Sequence, residues 1–304
     1  MGRAVLVTGA TGFVGAHVLV RAGERQIEAV AAEGDLRDPE QVRKLVAETS
    51  PIAVLHLASA RARAADDVWL GLADDLLMAG NLLAAVEKLA PGAPVLIPGS
   101  AAQYGVAGPE PLRETAPTEP FSAYGASKSV LETACTSPAL RGGVRVIWTR
   151  GFNHVGPGQG LDAPVPSWAK QVAEIETAGS GVLKTGRLDV VRDFLDVRDV
   201  ADAYLELVTS PAEGVVNVCS GNGVRLQKVA DQLVALSGAS ISIEQDQALE
   251  RPIDPAHVVG DPSRLHKLTG WTPSTELERS LRDVLDEWRR AVEQEPHSLV
   301  ARGA

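Results

Sequence analysis

Val5-Leu6-Val7-Thr8-Gly9-Ala10-Thr11-Gly12-Phe13-Val14-Gly15 decides the fold of this chain. A short apolar strand runs into three glycines spaced three apart, and a helical pattern starts at once. Glycines at these places let the chain turn tightly and approach a pyrophosphate, whose charge rests among the unpaired N–H groups of the helix start. A glycine triplet alone is a weak signal, but strand, glycines and helix in this order are a strong one. The stretch is expected to hold a dinucleotide through Gly9, Thr11, Gly12, Phe13, Val14 and Gly15.

Outward from it, the first half alternates strand and helix. Strands are expected at 4–7, 28–32, 53–57, 95–97 and 144–149, with Pro98 and Gly99 ending the fourth. Helices are expected at 13–22, 39–49, 74–89 and 123–135. Such alternation implies an α/β fold, a Rossmann-type doubly wound parallel sheet with its ligands at the carboxyl ends of the strands. After Gly151 the texture changes to a loop rich in glycine and proline over 156–160. Helices then follow at 166–178, 199–208, 225–236, 262–268 and 277–292, with short strands at 214–219 and 241–244. Asp261 stands where an N-cap is expected. This second part reads as a smaller α/β substrate lobe. The expected division is a dinucleotide-binding domain over 1–164 and a lobe over 165–304, with about 196–220 returning to the first domain.

Of the 304 residues 45% are hydrophobic, enough for one large domain or two joined lobes. The formal net charge of −10 argues against nucleic acid as a partner, because a phosphate backbone needs a basic face. Cys135 and Cys219 fall in apolar patterns, as buried thiols do, and fit a reducing cytoplasm. The first strand starts too early to leave room for a signal peptide. No apolar run approaches the ~20 residues of a membrane span. A cytoplasmic protein is therefore expected. The six histidines are scattered, so no metal site is expected.

Tyr124 and Lys128 lie four apart at the start of a helix and share one face. A free tyrosine titrates near ~10, and an ammonium one turn away favours its phenolate. Ser100 follows a strand whose carboxyl edge faces the cofactor, so its hydroxyl can orient a substrate oxygen beside Tyr124. With these residues in view, Gly9-x-x-Gly12-x-x-Gly15, Gly34-Asp35-Leu36-Arg37-Asp38, His56-Leu57-Ala58, Ser100…Tyr104-Gly105 and Tyr124-x-x-x-Lys128 resemble the extended short-chain dehydrogenases/reductases over nearly the whole chain. Arg150-Gly151-Phe152-Asn153-His154 through Gln159, Arg192-Asp193-Phe194, Arg251-Pro252-Ile253-Asp254 and Gly260-Asp261 resemble the GDP-6-deoxy-D-mannose reductase branch.

The resemblance implies an NAD(P)-dependent enzyme acting on nucleotide sugars. Tyr124 would be the acid/base, Lys128 its partner and a ligand of the nicotinamide ribose, and Ser100 the second hydroxyl. Asp35 would accept from the adenine amino group, with Leu36 against the ring, and Leu57, Ala58 and Ser59 would line the cofactor. Asn153, Arg192 and Arg251 would hold the sugar-nucleotide diphosphate, as arginines in an acidic chain can. His154 reads as a structural contact rather than a base. Trp168 is expected near the nucleobase. A homodimer is expected.

Three departures matter. Dehydratases of the family carry an acidic pair where this chain has Ala101 and Ala102, and eliminating water needs an acid and a base. Reductases that also epimerise C3 and C5 carry a cysteine at the place of Ala102. The asparagine of the helix before the catalytic strand is here Asp75. Cofactor choice stays open between NAD(H) and NADP(H): Glu33 would bind a ribose 2′-hydroxyl and repel a 2′-phosphate, whereas Arg37 would attract one. The expected reaction is reduction of the C4 carbonyl of a nucleotide-activated 4-keto-6-deoxyhexose, GDP-linked. The alternatives are a 4-epimerase with tightly bound NAD and, remotely, a non-catalytic dinucleotide sensor.

Overall fold

The computed structural model describes residues 4–60, 67–106, 108–250 and 252–294. Its first half runs β1 (Val5–Thr8), α1 (Phe13–Glu24), β2 (Ala29–Ala31), α2 (Pro39–Thr49), β3 (Ala53–His56), α3 (Val68–Leu89), β4 (Val95–Ser100), α4 (Ala123–Thr136) and β5 (Val146–Gly151). It continues through β6 (Asn153–Val155), α5 (Pro164–Ala178), β7 (Ser180–Thr185), β8 (Val191–Asp196), α6 (Val197–Thr209) and β9 (Gly214–Val218). The chain then adds β10 (Gly223–Arg225), α7 (Leu226–Ala235), β11 (Ser240–Gln245), β12 (His257–Val258), α8 (Ser263–Thr269) and α9 (Leu277–Gln294).

Six strands form one parallel sheet in the order β2-β1-β3-β4-β5-β9. Both faces of the inner strands β1 and β3 are buried, which is why these read as apolar runs. Successive side chains of β1 part to opposite sides: Val5 and Val7 join Val18, Ala22 and Leu205 on one face, Leu6 joins Val42, Leu82 and Val86 on the other. The fold is thus a Rossmann-type doubly wound sheet. A third core gathers Trp168, Val172, Leu183, Val229, Leu233, Leu281 and Val284 from α5, β7, α7 and α9. Segment 197–218 lies against the first half, since α6 packs on α1 and β9 pairs with β5.

Several boundaries differ from the sequence pattern for physical reasons. β4 continues through Pro98 and Gly99 to Ser100. Its pairing with β3 stops at Leu96, so the missing N–H of Pro98 removes no bond on that side. The second strand stops at Ala31, short of Glu33. Asp261 Oδ1 accepts from the Ser263 N–H at 2.9 Å, yet the N-cap position of α8 belongs to Pro262. The strands β6, β7, β8, β10 and β12 carry too little alternation to be read in advance. α3 begins before residue 74 and is, at 22 residues and mean hydropathy 1.3, long and apolar enough to span a membrane by composition alone. Instead it lies in the helical layer between α2 and α4, with Leu82, Leu83, Ala85 and Val86 in the core.

Candidate active site

The loop after β1 depends on backbone touching backbone. Gly9 has φ +64, and a Cβ there would fall 2.5 Å from the Ala58 nitrogen. A Cβ on Gly15 would fall 2.2 Å from the Gly9 oxygen. Only glycine permits both approaches. Thr8 Oγ1 accepts from the Ala58 N–H at 3.1 Å and meets His56 Nδ1 at 2.8 Å, which fixes the ends of β1 and β3 under the loop. Burial lowers His56 to about 4, so the ring is neutral at working pH. Helix α1 starts at Gly12 with no side-chain cap and no acid in its first turn. Its unpaired N–H groups and positive dipole end suit a phosphate.

A cavity of about 1260 Å³ opens over this loop. It is lined by Gly9, Thr11, Gly12, Phe13, Val14, Gly15, Asp35, Leu36, Leu57, Ala58, Ser59, Tyr124 and Lys128. These are the expected cofactor residues except Glu33, which is exposed and outside the lining. Glu33 lies past the end of β2, between Ala32 and Gly34, which do line the cavity. Arg37 is also at this cavity. It donates to both oxygens of Asp35, at 2.9 Å each, and lies 3.4 Å from Asp74. These hydrogen bonds hold the Asp35 carboxyl at about 2. The size of the cavity, the uncapped helix start and the glycine contacts fit a dinucleotide.

Next to it, a smaller cavity of about 360 Å³ brings together Ser100, Tyr124 and Lys128 with His154 and Tyr204. Ser100 ends β4 and caps the short turn at 101–103, its Oγ accepting from the Ala102 N–H at 3.2 Å. Gln103 braces this turn: its Oε1 accepts from Ser100 N–H and Trp148 Nε1, and its Nε2 donates to Glu132, which also holds Arg150. Helix α4 starts at its N-cap Ser122, whose Oγ accepts from the Gly125 N–H at 3.0 Å. A Cβ on Gly125 would fall 2.4 Å from the Ala102 oxygen, so glycine lets α4 close onto the Ser100 turn. Tyr124 is 55% exposed and its ring centroid lies 6.0 Å from Lys128 Nζ, within reach of an incoming substrate. Lys128 itself is buried and donates to Ser59 Oγ at 3.2 Å and Asp75 Oδ2 at 3.3 Å. The neighbours of Ser100 are the methyl groups of Ala101 and Ala102, not carboxylates.

A third cavity, about 340 Å³, lies under the second half. Asn153, Arg192 and the buried Trp168 line it, together with Lys184, Arg187 and Asp254. Arg192 donates to the Val191 and Pro255 carbonyls at 2.7 Å and pairs with Asp254. Asn153 Nδ2 donates to the Asp193 carbonyl at 3.0 Å. Arg251 lies outside the described residues. Gln159 lines all three cavities and ties them into one site. His154 Nε2 is buried without a partner, and burial lowers the ring to about 4. Lys184 and Arg187 went unread because they sit at and after the unforeseen strand β7. Cys135 and Cys219 are buried, and burial pushes the Cys135 thiol up to about 12. Among the described residues no group of His, Cys, Asp and Glu could hold a metal ion.

Comparison with known proteins gives a consistent neighbourhood. The profile of the NAD dependent epimerase/dehydratase family matches residues 5–219. GDP-6-deoxy-D-mannose reductase of Pseudomonas aeruginosa is 33% identical over 97% of this chain and 100% of its own length. UDP-glucose 4-epimerase of Azospirillum brasilense is 28% identical over 95% of this chain and 93% of its own. Among solved structures, RMD from Pseudomonas aeruginosa complexed with NADPH superposes with a TM-score of 0.87 at 32% identity, covering 96% of this chain and 99% of that one.

Proposed function

Because the chain belongs to the NAD dependent epimerase/dehydratase family, we propose that it reduces the C4 carbonyl of a nucleotide-activated 4-keto-6-deoxyhexose, GDP-linked, with NADH or NADPH. The observation that carries this reading is the cavity shared by Ser100, Tyr124 and Lys128, with alanines where elimination would need acids. When bound, the reduced nicotinamide supplies a hydride. Tyr124 gives the proton to the C4 oxygen, Ser100 orients that oxygen, and Lys128 holds the ribose. The loop and helix start at 9–15, with Asp35, Leu36 and 57–59, bind the dinucleotide. Asn153, Arg192 and Arg251 take the diphosphate, and Trp168 lies near the base. Residues 1–164 form the cofactor domain and 165–304 the substrate lobe, with about 196–220 rejoining the former.

The protein works as a homodimer in the cytoplasm. Trp69, Leu70 and Leu77 on α3 and Val130 on α4 are exposed apolar side chains on neighbouring helices, a face that a second copy would cover.

The test is to give purified protein a GDP-linked 4-keto-6-deoxyhexose and follow loss of the reduced nicotinamide's absorbance. One cofactor consumed per sugar supports reduction. The 4-epimerase reading is favoured by the epimerases among the relatives, and predicts instead stoichiometric NAD released on unfolding.

A further inference from the structure

Beneath Tyr124, two charged groups face each other in the buried part of the site. Lys128 on α4 and Asp75 on α3 are 7% and 8% exposed, and they pair at 3.3 Å. Asp75 Oδ2 also accepts from Ser59 Oγ at 2.9 Å, and Oδ1 from the Ala60 N–H at 2.6 Å, so the carboxylate is fixed to the loop after β3. The other titratable groups around the pair, taken element by element, are held neutral by burial. His56 on β3 and His154 on β6 are lowered to about 4. Cys135 on α4 and Tyr204 on α6 are raised to about 12. Asp35, Arg37 and Asp74 lie at the cofactor cavity, where Arg37 pairs with both carboxylates, and Asp162 lines the same cavity. Among the described residues Asp75 is the carboxylate that pairs with Lys128. An amide at position 75 would keep the same shape and leave the lysine's charge unopposed beside Tyr124.

We propose that Asp75 is a positioning residue that holds Lys128 and cancels its charge toward Tyr124, so that the site favours proton donation over proton abstraction. The inference rests on the reductase reading above and deepens it. In reduction, bound reduced nicotinamide would supply the hydride for C4 and be oxidised in doing so, while Tyr124 gives its proton to the C4 oxygen. The carbonyl becomes an alcohol, and the tyrosinate left behind takes its proton back from solvent. The reverse reaction needs the tyrosinate first. A neutral Lys–Asp pair therefore favours reduction over oxidation near neutral pH.

The test substitutes Asp75→Asn and reads Tyr124 directly. The chain has three tyrosines, and the phenolate absorbance step that belongs to Tyr124 is the one lost in Tyr124→Phe. That step is expected about one pH unit lower in Asp75→Asn, the size of effect a nearby charge exerts. The alkaline limb of kcat for carbonyl reduction should move with it, and the rate of alcohol oxidation at neutral pH should rise. Asp75→Glu, which restores the charge, should return both towards their original places. An absorbance step and a rate limb that stay in place in Asp75→Asn overturn the proposal. Should that variant not fold, the unaltered protein decides: oxidation must peak at more alkaline pH than reduction, and an oxidation optimum at or below the reduction optimum overturns it. The absorbance titration needs no sugar, so a protein that shows the shift yet reduces no 4-keto sugar refutes the reductase reading and leaves the charge pairing standing.

Discussion

At the cofactor cavity Gly9 and Gly15 bring backbone against backbone, whereas at the substrate cavity Arg192 reaches Asp254 across 62 residues of sequence. The first construction is local and rigid. Its shape follows from main-chain sterics and a helix start whose N–H groups no side chain caps. The second is assembled from long side chains on short strands. Arg192, Arg187 and Asn153 each depend on carbonyls or carboxylates from other segments. A dinucleotide is common to the whole family, so its cradle can be fixed in the backbone, while the substrate is read by side chains that differ more easily. Tyr124, Lys128 and Ser100 stand where the two constructions meet.

The largest effect should come from that junction. Tyr124→Phe keeps the ring and removes the proton, and turnover should fall by ~10²–10⁴-fold, the usual worth of acid–base help. Binding of NAD(P)H, followed by fluorescence titration, should change less than about twofold. A Phe variant with most of its turnover removes Tyr124 from the chemistry.

A second effect is on stability, through the histidines beneath the loop and beside the junction. A free imidazole titrates near ~6.5, and burial lowers both His56 and His154 to about 4 in the folded protein. Between these values the unfolded chain binds more protons. Stability is therefore full above about 6.5 and is lost as pH falls toward about 4, by up to roughly 3 kcal/mol for each ring. Urea unfolding at pH values on either side of this window measures the slope. His154→Gln should remove its share, and an unchanged slope in that variant refutes the assignment.

The smallest effect separates the two cavities most cleanly. Arg192→Ala should weaken binding of the nucleotide diphosphate by ~1.5–3 kcal/mol, as for hydrogen bonds to charged groups, and leave NAD(P)H alone. Gly15→Ala should do the opposite, with at least a ~10-fold loss for NAD(P)H, since its Cβ would fall 2.2 Å from the Gly9 oxygen. Titration calorimetry of both ligands on both variants makes the comparison. Parallel losses in both ligands would mean that the two cavities are one mechanical unit.

What the sequence makes legible follows the same division. The glycine loop and the Tyr124–Lys128 pair are visible because a tight turn and one helical turn are local events. The buried thiols of Cys135 and Cys219 follow from apolar patterns. The course of β4 past Pro98 is hidden, because it depends on where β3 stops pairing. The partner of Lys128 is hidden too: Asp75 is 53 residues away, and only the packing of α3 against α4 joins them. Glu33 lies past the end of a β2 shorter than the sequence pattern suggests, and it is absent from the lining of the cofactor cavity. Lys184 and Arg187 are invisible for want of any pattern in β7.

The central claim is that the site carries out reduction alone. Its most direct test is to run the reaction with a GDP-linked 4-keto-6-deoxyhexose and nicotinamide cofactor deuterated at the transferred position, in parallel with an unlabelled reaction in heavy water. The account predicts one deuterium at C4 of the product from the cofactor, one cofactor oxidised per sugar, and no solvent deuterium at C3 or C5 above the uncatalysed background, because Ala102 offers no group to shuttle those protons. Solvent deuterium at C3 or C5, or interconversion of C4 epimers with no net cofactor oxidation, would contradict it.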